Sequence, residues 1–181
     1  MTALAALTCL YAAPAAAQVA AQDRPPVLPT RDVDVTYRSE QGGQVLEQRS
    51  RFSTQAQRMR VDAPTPGVYT IMDYRNHVLA FVSDADRASL ETATPPTPPQ
   101  APAYQRRGAA QIAGLACTEW EVRDSTGHAA LTCFTPDGVM LRARRGDQVL
   151  AIATRVAFAP MDPALFSVPA TYQRLQKRPP Q

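Results

Sequence analysis

VYTIMDYRNHVLAFVS, residues 68–83, decides the fold. VYTIMDY (68–74) and HVLAFVS (77–83) alternate with a period of two around Arg75-Asn76, which reads as a strand, a tight two-residue turn and a returning strand. In the second run Leu79 and Phe81 point one way while Val78, Ala80 and Val82 point the other, and both sides are apolar. A sheet that is apolar on both faces needs a cover on each. The chain has no convincing helical pattern to supply one; the best candidate is the weak Ala/Gln/Gly stretch at 108–113. Such a sheet must therefore pack on itself, close into a barrel, or curl and leave an apolar concave face for something else.

The same alternation spreads in both directions. DVDVTYR (32–38) sets Val33, Val35 and Tyr37 against Asp34, Thr36 and Arg38. Gln41-Gly42-Gly43 turns the chain and VLEQRSRF (45–52) returns, followed by QRMRVD (57–62). A short strand is expected at 88–92 and further strands near 115–123, 129–135, 139–145 and 148–158. In 149–158, Leu150, Ile152, Val156 and Phe158 oppose Val149, Ala151, Ala153 and Ala157, again apolar on both sides. Close spacing and short turns, among them Asp137-Gly138 and Gly146-Asp147, mark an antiparallel meander. ATPPTPPQAPA (93–103) is short of backbone donors and favours extended backbone, so it divides the strands into two sets.

Residues 1–17, MTALAALTCLYAAPAAA, are uncharged and apolar and end on small residues. They read as a secretory signal peptide cleaved after Ala17, although the usual positive start is missing. No other apolar run is long enough to span a bilayer as a helix. The expected organisation is a signal peptide at 1–17, a linker at 18–30, one β domain at 31–175 containing the Pro-rich loop, and a disordered tail at 176–181. The expected location is the periplasm or the exterior. A net charge of +3 with mixed signs is too small for a nucleic-acid footprint.

GLACTEWEVRDSTGHAALTCF (114–134) carries Cys117 and Cys133. A three-residue loop at 124–126 pairs Arg123 with Gly127 and places the two cysteines directly opposite each other. Opposed Cα atoms lie within disulfide range, and an exported chain meets oxidising conditions. A structural disulfide is expected. The same register turns Trp120 away from the cysteines and into the core.

Other chemistry is thin. His77 and His128 have no metal-ligand spacing, Asp84-Ala85-Asp86 is too short for a calcium loop, and no phosphate loop or nucleophile elbow is present. Glu119 and Glu121 share a strand face, but such pairs are most often solvated. No catalytic residue, metal or cofactor is assigned, and the chain reads as a non-enzyme.

RMRVDAPTPGVYTIMDYRNHVLAFVSDADRASLE (58–91), IAGLACTEW (112–120) and DPALFSVPATY (162–172) resemble exported bacterial proteins of the lipoprotein-carrier (LolA/LolB-like) superfamily, most of all an uncharacterised domain family of that group. The resemblance implies an incomplete antiparallel barrel around an apolar groove, and a lipid, acyl chain or lipoprotein as ligand. The helices that cover the groove in carriers have no counterpart here, and no carrier residue maps onto this chain by motif.

The fold expected is all-β: a curled antiparallel sheet forming a half-barrel with few or no helices. The function expected is non-catalytic binding of an apolar ligand or lipidated protein in the cell envelope. The apolar groove residues are Met72, Leu79, Phe81, Leu141, Ile152 and Phe158. The alternative is a filled-core interaction protein with an envelope protein partner and no small ligand.

Overall fold

A computed structural model describes residues 24–26, 28–94, 103–123 and 127–176. The expected signal peptide, most of the Pro-rich segment and the last residues of the tail lie outside them. Two meanders build one 12-stranded sheet. The first comprises β1 (Val33–Gln41), β2 (Gln44–Ser53), β3 (Arg58–Asp62), β4 (Val68–Asp73), β5 (Val78–Ser83) and β6 (Ala88–Ala93). The second comprises β7 (Ala103–Ile112), β8 (Leu115–Arg123), β9 (Ala129–Phe134), β10 (Met140–Arg145) and β11 (Gln148–Ala157). β11 pairs with β1 and joins them, and β12 (Gln173–Gln176) adds to β6 as the one parallel pair among the described residues. The sheet is not closed into a barrel, so the expected half-barrel is what forms. A single 3₁₀ turn at Pro163–Phe166 is the helical content of the described residues. None of their helices is long and apolar enough to cross a membrane.

The meanders differ in regularity. β2 to β6 pair without a register shift. The seam and the second meander carry bulges at Thr36/Tyr37, Ala143/Arg144, Met140/Arg142 and Arg106/Gly108. An extra residue on one strand bends it and increases its twist. The second meander accordingly curls until β7 touches β11. Its interior holds Ile112, Cys117, Cys133, Leu141 and Ala153, continuous with Val33, Val35 and Phe52 of the first meander. Leu141 is 0% exposed and Cys133 1%.

The first meander stays flatter, and its two faces meet different fates. On the outer face, Tyr69, Ile71, Ala80 and Val82 are buried beneath Val168 and Tyr172. These belong to a strap, residues 159–172, that runs from β11 to the edge at β12. Its Phe166 is 1% exposed. The Arg58 and Arg60 guanidiniums donate to the carbonyls of Phe166 (3.0 Å) and Leu165 (3.3 Å), and the Tyr172 hydroxyl donates to Asp84 (3.0 Å). An irregular segment thus covers a face for which the sequence offers no helix. Asp32 ties the strap's start to the sheet, accepting from Thr54 N (2.8 Å), Thr54 Oγ1 (2.7 Å) and Met161 N (3.1 Å).

Cys117 and Cys133 form a disulfide with an S–S length of 2.11 Å and Cα atoms 5.5 Å apart. The register that predicts it is displaced by two residues. Glu119, not Cys117, lies opposite Cys133, and Arg123 pairs with Ala129 around a longer loop. A two-residue shift keeps the side chains on one face, so the cysteines meet along a diagonal. Trp120 is buried on the other face, edge-on to Tyr104 at 6.4 Å.

Other details differ from the sequence reading. The turn after β4 spans four residues, 74–77, because Asp73 pairs with Val78; Asp73 closes it by accepting from Asn76 N (2.8 Å) and Nδ2 (2.9 Å). Residues 108–113 are not helical: 108–112 complete β7. The β1–β2 hairpin turns on Gly42-Gly43, both at positive φ, as a two-residue turn between twisted strands requires.

Candidate functional site

The inner face of the first meander can be read from the strand register, because directly opposed residues share a face. One row runs Val35, Ser50, Val61, Thr70, Phe81, Leu90, Leu175. The next runs Val33, Phe52, Met59, Met72, Leu79, Thr92. At the β1 end of these rows the second meander curves over the sheet and encloses a cleft of about 340 Å³. Val33, Val35, Phe52, Met59 and Val61 line it from the sheet side, Phe134, Val139 and Met140 from the β9–β10 side. No Asp, Glu, Lys or Arg is among its lining residues.

The polar groups in the cleft are few. The Tyr37 hydroxyl donates to the Met140 carbonyl at 2.7 Å, and burial pushes its pKa up to about 12, so it remains a donor. The Tyr74 hydroxyl donates to the Met59 sulfur at 3.8 Å, and burial raises its pKa too. Ser39, Gln48 and Ser50 add uncharged polar atoms. A mostly apolar cleft with a few placed polar groups is the usual form of a small-ligand site.

Away from β1 the cleft opens onto bare sheet. Phe81 is 46% exposed, Leu90 37% and Leu175 43%, in adjacent positions of one row. Scattered exposed aliphatics are ordinary, but a contiguous apolar patch marks an interaction site.

The six sequence-derived groove residues separate into two sets. Met72, Leu79 and Phe81 stand together on the open inner face. Leu141 is sealed in the second meander's core. Ile152 lines a separate opening between the tips of the β1–β2 and β10–β11 hairpins. Phe158 packs on the main core with the Arg31 guanidinium 3.6 Å over its ring. None of the six lines the cleft itself. Its sheet-side residues come from β1, β2 and β3, whose alternation was visible; what placed them at a cleft was the curl of the second meander, set by bulges that have no sequence signature here.

The strand carboxylates are taken up by arginines. Glu119 accepts from Arg142 at 2.5 Å. Glu121 accepts from Arg107 at 2.7 Å and Arg123 at 2.6 Å, and these bonds hold its pKa below the usual carboxylate range. Among the described residues no group of three or more His, Cys, Asp or Glu is placed to hold a metal ion. His77 sits in the β4–β5 turn at φ 55° and His128 is exposed beside the β8–β9 loop.

The chain is thus a curved, open, antiparallel sheet with an apolar inner cleft. No family model matches the chain, and no curated protein sequence does. Among solved structures it is similar to an uncharacterised conserved protein from Thermus thermophilus, with a TM-score of 0.60 and 14% identity over 82% of this chain and 91% of that one. It is similar to MucB, with a TM-score of 0.54 and 14% identity over 80% of this chain. It also matches MucB in the complex of Pseudomonas aeruginosa MucA and MucB, with a TM-score of 0.51 and 12% identity over 80% of this chain. The chain spans 60% of MucB's length. At these identities the likeness is one of fold.

Proposed function

We propose that the protein is a non-catalytic binding protein of the cell envelope, exported by a signal peptide cleaved after Ala17. It holds an apolar ligand, an acyl chain or the lipid of a lipidated partner, in the cleft and along the open inner face. The observation that carries this reading is the continuity between an uncharged apolar cleft and the exposed Phe81, Leu90 and Leu175. Binding is by burial of apolar area, about 25 cal/mol per Å², with no covalent step.

The test is native mass spectrometry of protein purified without detergent, before and after solvent extraction. A co-purifying mass in the fatty-acid or phospholipid range, removed by extraction, supports the reading. A bare chain that also takes up no added fatty acid sinks it. The second reading is a protein partner seated on the same face, favoured by the complexes of MucB with MucA. It gains if Phe81→Asp abolishes capture of an envelope protein while no lipid binds.

A further inference from the structure

The cleft has a direction. It follows β1 from Val33 to Ser39, about 20 Å at roughly 3.3 Å per residue. Inward residues change along it from Val33 and Val35 to Tyr37 and Ser39, and opposite them on β2 from Phe52 through Ser50 to Gln48. One end is wholly apolar, and the other sets Tyr37, Ser39 and Gln48 beside Leu150 and Ala151. Ser39 also lines the opening between the hairpin tips, together with the exposed Arg38.

The chain's own lead segment contributes to the cleft wall. Leu28 and Pro29 line the cleft, and Leu28 packs on the core. This segment lies against the β9–β10 turn at Gly138, where an added Cβ would stand 2.7 Å from the Leu28 carbonyl oxygen and 2.9 Å from Pro26 Cβ. That approach leaves no room for a side chain, and Gly138 also holds φ 80°. Further ties are Thr30 N to the Asp137 carbonyl at 2.9 Å, Thr30 Oγ1 to Asp137 at 3.5 Å, Arg31 to the Asp137 carboxylate at 3.8 Å, and Arg31 over the Phe158 ring.

We infer that Leu28 and Pro29 are an end wall that sets how long an apolar chain the cleft accepts, with an amphiphile lying tail toward Leu28 and head toward Ser39 and Gln48. This deepens the acyl-chain reading and rests on it. A wall of side chains from a lead segment, rather than from the sheet, is adjustable without disturbing a strand.

The test is displacement of 1-N-phenylnaphthylamine from the purified protein by saturated fatty acids of increasing length. In the wild type each added methylene strengthens binding about fourfold until the wall is reached, as burial of a CH₂ predicts, and the gain then stops. Leu28→Gly with Pro29→Gly is expected to move that limit to longer chains, and Leu28→Trp to shorter ones. Shifts in opposite directions cannot come from general loosening, and if the glycine variant fails to fold the shorter limit of Leu28→Trp decides the matter, because loosening cannot shorten it. A limit at the same length in a folded variant overturns the end wall and leaves the acyl-chain reading standing. A wild type that binds no fatty acid of any length overturns both.

Discussion

The two meanders start from similar material and end differently. Each is a run of short antiparallel strands with apolar residues on both faces. The second carries bulges and a disulfide, curls on itself and fills its interior, leaving Leu141 fully buried. The first has no register shift from β2 to β6, stays open, and hands one face to the strap while the other keeps Phe81, Leu90 and Leu175 at the surface. Bulge placement, more than composition, separates a packed half from an open half. Apolar surface left bare in a folded chain is a cost to solubility that function has to explain.

Mutations should separate the two meanders by what they cost. The largest loss is expected at the strap: Phe166→Ala leaves a void under β4 and β5 and should cost about 3–5 kcal/mol, read as a lower urea midpoint. Leu141→Ala in the filled half is expected to cost about 2–5 kcal/mol. If Leu141→Ala were silent, the second meander would not be the packed half. Replacing Cys117 and Cys133 by serine together should cost about 3 kcal/mol. That lowers the thermal midpoint by roughly 6–12 °C for a chain of this size.

Acid sharpens the contrast at the strap. Burial raises the Asp32 pKa, but the hydrogen bonds from Thr54 and Met161 outweigh it and hold the carboxyl below its ordinary value. Asp73 behaves alike, with bonds from Asn76 and Arg58 outweighing burial. A carboxyl with a depressed folded pKa stabilises the fold above its unfolded pKa of about 3.9, and that contribution fades as pH falls through the lower folded value. Stability should therefore drop below about pH 4, and Asp32→Asn should flatten that drop in acid-unfolding curves. The smallest effect on the fold is expected on the open face: Phe81→Ser should change stability by no more than about 0.5 kcal/mol.

Much of the fold was legible in the sequence. Period-two alternation located most strands within a residue or two, whereas the double apolarity of residues 77–83 left a self-packed sheet, a closed barrel and a curled sheet open, and the family resemblance pointed to the curled one. The disulfide was legible even through a register error, because a two-residue slip preserves the face. β7 was not, because an edge strand with Arg106, Arg107 and Gly108 buries little on either side and shows no alternation. β12 was not, because four residues of Gln, Arg and Leu owe their strand to the edge of β6 rather than to their own pattern. The candidate site was less legible, since none of the six expected groove residues lines the cleft. Met72, Leu79 and Phe81 share the open face as their alternation required, whereas Leu141 is equally apolar and lies sealed behind a bulge. Which apolar side chain faces a cavity depends on curvature, and curvature here comes from bulges and from a strap of irregular backbone.

The proposed ligand site is the cleft between the meanders together with the open inner face of the first. The most direct measurement is a fluorescence titration of 1-N-phenylnaphthylamine against the wild type and Phe81→Asp, with thermal unfolding of both. Saturable binding by the wild type is expected, weakened rather than lost in Phe81→Asp, which stands beside the cleft and not in it, at an unchanged unfolding temperature. Binding that survives Phe81→Asp in full, or a variant that unfolds because Phe81 belongs to a packed core, would contradict it.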